Sequence, residues 1–224
     1  MMYLSRLILN PRSRQVRSEL ARPYAMHRTL LNAFPQGKVH VERTEEDAIG
    51  LLYRIDEDAR SGALHVLVQS QKSPQWGFLA EREYLLPVAD NPATRAVNLQ
   101  LQPGQVLAFR LRANPTKRLS AGTGNKGKRV GIYKEEDQEA WLQRKGSQHG
   151  FRLLQIQVSR DELVNQGEAI PAAQGRAHDL KLFSVQFDGI LQVVDAERFV
   201  QAIGAGIGSG KAFGCGLLSV ARAG

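Results

Sequence analysis

The chain has 224 residues and a formal net charge of +8, and 42% of its residues are hydrophobic. This composition predicts a folded globular protein, long enough for one large domain or two small ones. No run of 18 apolar residues occurs, and residues 3–9 are too short and too interrupted to resemble a signal peptide. We therefore expect a cytoplasmic protein without a membrane partner. The single cysteine, Cys215, excludes an internal disulfide and a cysteine-based zinc site.

Positive charge is concentrated in two segments of the chain. Residues 92–134 contain nine Lys or Arg residues and no Asp or Glu, and residues 1–41 contain seven basic residues and one acid, Glu19. The rest of the chain is net negative. Segregation of this kind favours a polyanionic partner, and nucleic acid in particular, over a basic protein that is merely soluble.

Hydrophobic periodicity and turn residues predict the elements of the first half. In chain order we expect a strand, a short helix, a second helix and two strands, at residues 3–9, 13–20, 23–34, 51–55 and 64–68. The second helix carries an apolar stripe that includes Met26, Leu30 and Phe34. We assign no element to residues 71–91.

The second half predicts a similar series of elements. In chain order these are two strands, a helix, a strand, a hairpin, a helix and a last strand, at residues 97–101, 107–111, 135–145, 151–158, 183–193, 196–203 and 217–221. The hairpin prediction depends on Asp188-Gly189, which suits a type I′ turn. Residues 120–131 predict a loop, and residues 161–175 an irregular insertion. Together the two halves indicate an α+β fold of two tandem ferredoxin-like (βαββαβ, RRM-like) domains, residues 1–94 and 95–224.

A glycine-rich segment, residues 204–216, is the most specific local feature. Its six glycines let the backbone approach another backbone or a phosphate closely. The segment does not match an ATP-binding P-loop, because Ala205 replaces the first required glycine and Ala212 replaces the hydroxyl residue that must follow Lys211. A tight helix-to-strand turn and a phosphate contact remain equally good interpretations, and both can hold together.

His27 is the candidate catalytic residue. Tyr24 precedes it by three positions, so the two side chains are neighbours on a helix. Imidazole is the side chain best matched to proton transfer near neutral pH. Helical spacing also places His27 beside Leu31 and Phe34, so a packing histidine is an equal alternative. The other four histidines show no spacing typical of metal ligands, and no metal site is expected.

Five segments, taken together, resemble the CasE family of CRISPR repeat-RNA endoribonucleases, which belongs to the RAMP superfamily and to Cascade-type systems. The matching segments follow the family's order. They are residues 2–9, the Tyr24-x-x-His27 motif, residues 109–118 (Phe-Arg-Leu-Arg-Ala-Asn-Pro-Thr-Lys-Arg), residues 140–145 and residues 206–219.

The resemblance implies a function and a mechanism. It implies two ferredoxin-like domains and metal-independent cleavage of CRISPR precursor RNA at the 3′ base of each repeat hairpin, which leaves a 2′,3′-cyclic phosphate. His27 would be the main acid/base group and Tyr24 its partner at the scissile phosphate, and no cofactor is needed. The family remains bound to the hairpin after cleavage, so the other Cascade subunits are expected partners.

Basic side chains and the glycine-rich segment are the expected RNA contacts. They are Arg28, Arg112, Lys117, Arg118, Lys128, Arg129, Arg160, Arg176, Lys181, Gly208 and Lys211. Three of them, Arg160, Arg176 and Lys181, lie where the family has a hairpin that enters the RNA groove. Two alternatives stay open: a non-catalytic RNA-hairpin-binding subunit of the same superfamily, and a metal-dependent nuclease, for which the sequence shows no carboxylate cluster.

Overall fold

Two four-stranded antiparallel sheets form the framework of the protein. The computed structural model describes residues 1–34, 49–119, 129–160, 168–170, 178–180 and 183–223. Within those ranges, none of the helices is both long and apolar enough to cross a membrane.

The first sheet is formed by the N-terminal part of the chain. Its elements, with the helices that accompany them, are β1 (Met2–Ile8), α1 (Arg14–Leu20), α2 (Pro23–Leu31), β2 (Leu52–Glu57), β3 (Leu64–Ser70), α3 (Gly77–Glu81) and β4 (Ala93–Val97). The strand order is β2-β3-β1-β4. Pro23 begins α2, a position where its missing N–H leaves no hydrogen bond unmade. The apolar side of α2 then packs on the sheet through Met26 and Leu30, which are fully buried.

The second sheet repeats this arrangement. Its part of the chain contains β5 (Val106–Ala113), β6 (Thr116–Arg118), β7 (Arg129–Gly131), α4 (Glu135–His149), β8 (Phe151–Arg160), β9 (Glu168–Ile170), β10 (His178–Leu180), β11 (Val185–Val193), α5 (Ala196–Ala205), a 3₁₀ turn (Lys211–Phe213) and β12 (Leu218–Arg222). The sheet order is β12-β5-β11-β8. In both sheets the first and third strands lie in the centre and the second and fourth at the edges. The predicted fold class, two tandem ferredoxin-like units, is confirmed.

The hairpin predicted at Asp188-Gly189 is wrong. Residues Val185–Val193 form one continuous strand that pairs with β5 on one side and β8 on the other. Asp188 accepts a hydrogen bond from Arg110 Nε across the sheet at 2.6 Å, and a Cβ atom at Gly189 would clash with the backbone oxygen of Gln155. The two residues therefore serve a cross-strand ion pair and a close strand approach, and not a turn.

The strand predicted at residues 97–101 is also wrong for most of its length. The observed strand β4 ends at Val97 and pairs with β1, so the first sheet crosses the predicted domain boundary after residue 94. Leu99 and Leu101 still pack against the second core, which accounts for the alternating pattern without a strand. The predicted loop over 120–131 ends earlier than expected, because residues 129–131 form β7, which pairs with β6. Residues 120–128 lie outside the described ranges.

Strand β2 lies between the two units, and its residues alternate between them. Tyr53 and Ile55 belong to the first core, whereas Arg54, on the opposite face, donates hydrogen bonds to second-unit backbone oxygens. On β3, Gln69 Nε2 donates to the carbonyl of Ile203 in α5 at 2.8 Å. These contacts fix the first sheet against the second unit, and the candidate site lies along this contact.

Candidate active site

His27 lies on the buried side of α2, close to the second unit. Its side chain is 7% exposed, and its ring stacks between those of Tyr24 and Tyr53, with centroid distances of 6.2 Å to each. The predicted proximity of Tyr24 and His27 is therefore present. The Nδ1 atom of His27 is buried and has no hydrogen-bond partner among the described residues. The ring is thus held by packing alone on that side.

Tyr53 joins α2 to the turn at Lys211–Phe213. Its hydroxyl donates to the carbonyl of Pro23 at 2.6 Å and lies 3.4 Å from the carbonyl oxygen of Ala212. Gly214 has φ +78°, and a Cβ atom there would lie 3.2 Å from the Tyr53 ring, so a larger residue would strain the turn and crowd the ring. On the outer side, Phe213 stacks on Tyr24 at 5.8 Å. The glycine-rich segment is therefore a tight turn packed against the two tyrosines that flank the histidine.

A pocket of about 290 Å³ opens beside His27. Its walls come from both units: α2, the start of β2 and the region of Gln71 on one side, and the end of α5 with Lys211 and Ala212 on the other. The volume is at the lower end of the range for ligand pockets, about 300–1,000 Å³. Lys211, which is exposed, is the cation at its rim.

Burial controls the protonation of His27. Desolvation of the charged imidazolium lowers the pKa of His27 from 6.5 to about 4. The imidazole is consequently neutral near pH 7 in the protein without RNA. A neutral imidazole can accept a proton, which is the state that a general base needs at the start of a reaction, while the lowered pKa makes it a weaker base than a free histidine.

A buried ionic network holds the two units together behind the pocket. Arg54, 3% exposed, donates from Nε to Asp56 at 2.8 and 3.0 Å and from Nη1 to the hydroxyl of Ser219 at 3.0 Å. Arg110 adds a second cation at 3.9 Å from Asp56. Burial alone would raise the pKa of Asp56, but the hydrogen bonds and charge of Arg54, together with the charge of Arg110, keep that pKa below its ordinary value. Asp56 is therefore ionised at neutral pH, and its role is structural, as the anion of this network.

The predicted RNA-binding residues fall in several places. Exposed positions are occupied by Arg28 on α2, Lys117 and Arg118 on β6, Arg129 on β7 and Lys211 at the pocket. Gly208, with φ +87°, packs against Trp141 and belongs to the turn.

Arg112 differs from these, because its side chain is only 3% exposed. An RNA contact through its guanidinium would require the side chain to be uncovered first. Lys128, Arg176, Lys181 and the side chain of Arg160 lie outside the described part of the chain. An RNA contact at each of these residues stays a prediction.

No group of three or more His, Cys, Asp or Glu side chains with a geometry suited to a metal ion occurs within the described ranges. Tyr53 and the Arg54–Asp56 pair are the components of the site that the sequence did not reveal. Their partners lie far along the chain: the hydroxyl of Tyr53 reaches a residue 159 positions away, and Arg54 one 165 positions away. Local spacing carries no signal for contacts of this kind.

We predict that the hydroxyl of Tyr53 positions His27. A Tyr53→Phe variant keeps the stacked ring but loses the hydrogen bond to Pro23, and loss of a buried hydrogen bond of this kind typically costs about 0.5–1.5 kcal/mol. Small displacements of a reacting group can cost up to about 10²-fold in rate, so any reaction of His27 should slow about tenfold or more. Denaturant unfolding and single-turnover kinetics measure the two effects.

Tyr84→Phe is the matched control for this variant. Tyr84 is also fully buried, and its hydroxyl donates to Glu19 at 2.7 Å. The control should lose a comparable free energy of unfolding without a change in the rate measured on folded protein. Equal rates for wild type and Tyr53→Phe would exclude the positioning role.

The fold and the site define an α+β protein of tandem ferredoxin-like units with a candidate acid/base histidine where the units meet. The family model described as CRISPR associated protein matches residues 2–222 of the chain. The chain is 39% identical to the CRISPR-associated endoribonuclease Cse3 of Thermus thermophilus, over 98% of this chain and 100% of that protein. It is 32% identical to the CRISPR system Cascade subunit CasE of Escherichia coli K12, over 98% and 99%.

A solved structure gives the same result. Thermus thermophilus Cse3, bound to an RNA that represents a pre-cleavage complex, superposes with a TM-score of 0.77 and 38% identity, covering 99% of each chain. The chain therefore belongs to the CasE family, also called Cse3, within the CRISPR associated proteins. The resemblance inferred from the sequence motifs is confirmed.

Proposed function

We propose that this protein is an endoribonuclease that cleaves CRISPR precursor RNA at the 3′ base of each repeat hairpin and stays bound to the product as a subunit of a Cascade complex. The observation that best supports this proposal is the His27 pocket between the two units. The chain that contains it is similar over nearly its whole length to the endoribonuclease Cse3. The name of the Escherichia coli relative, a Cascade subunit, supports the assembly with other subunits. A cytoplasmic location stays a prediction.

The pocket suits cleavage by the RNA's own 2′-hydroxyl. His27, neutral at pH 7, takes the proton of the 2′-hydroxyl upstream of the scissile phosphate. The 2′ oxygen then bonds to phosphorus, the bond to the 5′ oxygen breaks, and that oxygen takes a proton from water. The hydroxide that remains takes the proton from His27, which returns to its neutral form. The products are a 2′,3′-cyclic phosphate and a 5′ hydroxyl. Lys211 lines the pocket with His27 and supplies a positive charge for the phosphate. Tyr24 is not part of the pocket wall, but its ring stacks on His27, and from there its hydroxyl would act as a donor to the phosphate.

Metal independence is part of the proposal. A general base, a cation, a hydroxyl donor and a water molecule account for each proton and charge in this reaction without a metal ion. The test is cleavage of an end-labelled repeat hairpin RNA in EDTA, followed by analysis of the new ends. Full activity in EDTA, a 3′ fragment with a free 5′ hydroxyl and a 5′ fragment resistant to direct ligation are expected. Loss of cleavage in EDTA, with recovery on addition of Mg²⁺, would contradict the mechanism.

The pH dependence of cleavage distinguishes a base from an acid at His27. At limiting protein concentration the second-order rate constant reports the free enzyme, in which burial lowers the pKa of His27 to about 4. A base must be neutral, so the rate constant should rise with pH near that value and be level above the ordinary 6.5. A rate constant that falls steadily as the pH rises through this window would assign the acid role instead. Circular dichroism at each pH controls for unfolding.

A further inference from the structure

The β6–β7 hairpin carries two arginines in an unfavourable arrangement. Arg118 and Arg129 are directly opposite one another in the register, and both are exposed. Like charges at directly opposed positions destabilise a strand pair. Within the described part of the chain neither arginine forms an ion pair. The cost of this arrangement is offset if an anion binds between them.

An exposed aromatic ring lies on the same face of the hairpin. Side chains alternate along a strand, so positions 129 and 131 of β7 face one side. The Tyr133 ring indeed covers Gly131, since a Cβ atom there would lie 3.1 Å from the ring. Tyr133 is 66% exposed, an unusual position for a large aromatic side chain, and it lies within the acid-free basic segment of residues 92–134.

Phe183 holds the Tyr133 ring in place from behind. The two ring centroids are 4.9 Å apart at an interplanar angle of 56°, and Phe183 itself packs against the second core. The ring is therefore anchored by Phe183 and Gly131, while Tyr133 as a whole stays 66% exposed and keeps ring surface free for a ligand. The first turn of α4 is acidic, with Glu135, Glu136 and Asp137, so the basic part of the chain ends where this helix begins.

We propose that Tyr133, supported by Phe183, stacks on an unpaired base of the bound RNA while Arg118 and Arg129 hold the adjacent phosphates. A free base presents a π-face that an aromatic side chain can cover, whereas the bases inside an A-form stem are already stacked. The ligand is thus a single-stranded nucleotide that flanks the hairpin. This site rests on the proposed RNA-binding function and adds to it a contact outside the stem.

The test compares a repeat hairpin that has single-stranded flanks with the same hairpin trimmed to its stem and loop. One stacked base contributes about a 5- to 150-fold gain in affinity, from about 1–3 kcal/mol per base. Tyr133→Ala should weaken binding of the flanked RNA by such a factor and leave binding of the trimmed hairpin unchanged. Tyr133→Phe, which keeps the ring, should bind as the wild type does.

Fluorescence identifies the stacked nucleotide. A 2-aminopurine placed at successive flanking positions should be quenched at one position by the wild type and by Tyr133→Phe, but not by Tyr133→Ala. Leu154→Ala, which shortens another exposed apolar side chain on β8, serves as the surface control and should change nothing.

Each other outcome overturns one claim. An equal loss of affinity for both RNAs, or no loss for either, would overturn the stacking site, and the second result would point to a protein partner on this surface. A wild type that cleaves normally without any quenched position also overturns the stacking site alone. A wild type that binds and quenches but never cleaves overturns the proposed chemistry and leaves the stacking site standing.

Discussion

A His27→Ala variant is expected to bind the hairpin RNA but to cleave it about 10²–10⁴-fold more slowly than the wild type. Loss of a positioned general base typically has an effect of this size. Affinity should stay within about tenfold, equivalent to about 1.4 kcal/mol, because the buried ring offers little surface to the RNA. Cleavage under single-turnover conditions and filter binding measure the two quantities separately.

The variant needs controls for folding and for histidine removal in general. His27→Gln retains more of the side-chain volume and should be as slow as His27→Ala, with less loss of stability. His149→Ala removes a half-buried histidine at the end of α4 and should cleave at the wild-type rate. Cleavage by His27→Ala within about tenfold of the wild type would reduce His27 to a packing residue and place the catalytic group elsewhere, whereas binding without any cleavage by the wild type would favour a binding subunit.

An Arg54→Met variant is expected to lose about 3–5 kcal/mol of the free energy of unfolding. Removal of one partner of a buried ion pair leaves the other charge uncompensated, and that cost is typically of this size. Asp56 is 8% exposed, and the remaining cation, Arg110, lies 3.9 Å away. The variant also loses the hydrogen bonds that join β2 to the second unit. Urea unfolding gives the free energy.

Two further variants separate the uncompensated charge from lost packing. Arg54→Met with Asp56→Leu replaces both charges by apolar groups and should recover much of the lost stability. Arg198→Met breaks an exposed pair with Asp195, in which the side chains are 67% and 41% exposed, and should cost less than about 1 kcal/mol. An Arg54→Met protein as stable as the wild type would show that the network does not hold the units together.

Local sequence patterns were sufficient for most of the fold. The apolar stripe of α2 and the proline at its start predicted that helix, and the order of elements in each half predicted both ferredoxin-like units. These features follow from residues close together in the chain, so a single sequence contains them. The family motifs added the candidate function, and the observed fold agrees with them.

The errors arose where a local pattern had a distant cause. Asp188-Gly189 looks like a turn, but the glycine makes room for β8 and the aspartate pairs with Arg110 on β5. Leu99 and Leu101 alternate like a strand because they pack on the second core. In each case a tertiary contact overrode the local preference.

The candidate site was predictable only in part. Tyr24 and His27 are one helical turn apart, so their contact followed from spacing. The burial of His27, which decides its protonation, depends on Tyr53 and on the turn at Lys211–Phe213. The meeting of these distant parts of the chain follows from the packing of one unit against the other, which no local pattern encodes.

The most direct test of the account is a crystal structure of the protein with a repeat hairpin RNA that carries a 2′-deoxy nucleotide upstream of the cut, so that the RNA stays whole. We predict that the scissile phosphate lies in the pocket between α2 and the turn at Lys211–Phe213, at hydrogen-bond distance from His27 or Lys211. A scissile phosphate bound elsewhere, with the His27 pocket closed to the RNA, would contradict the account.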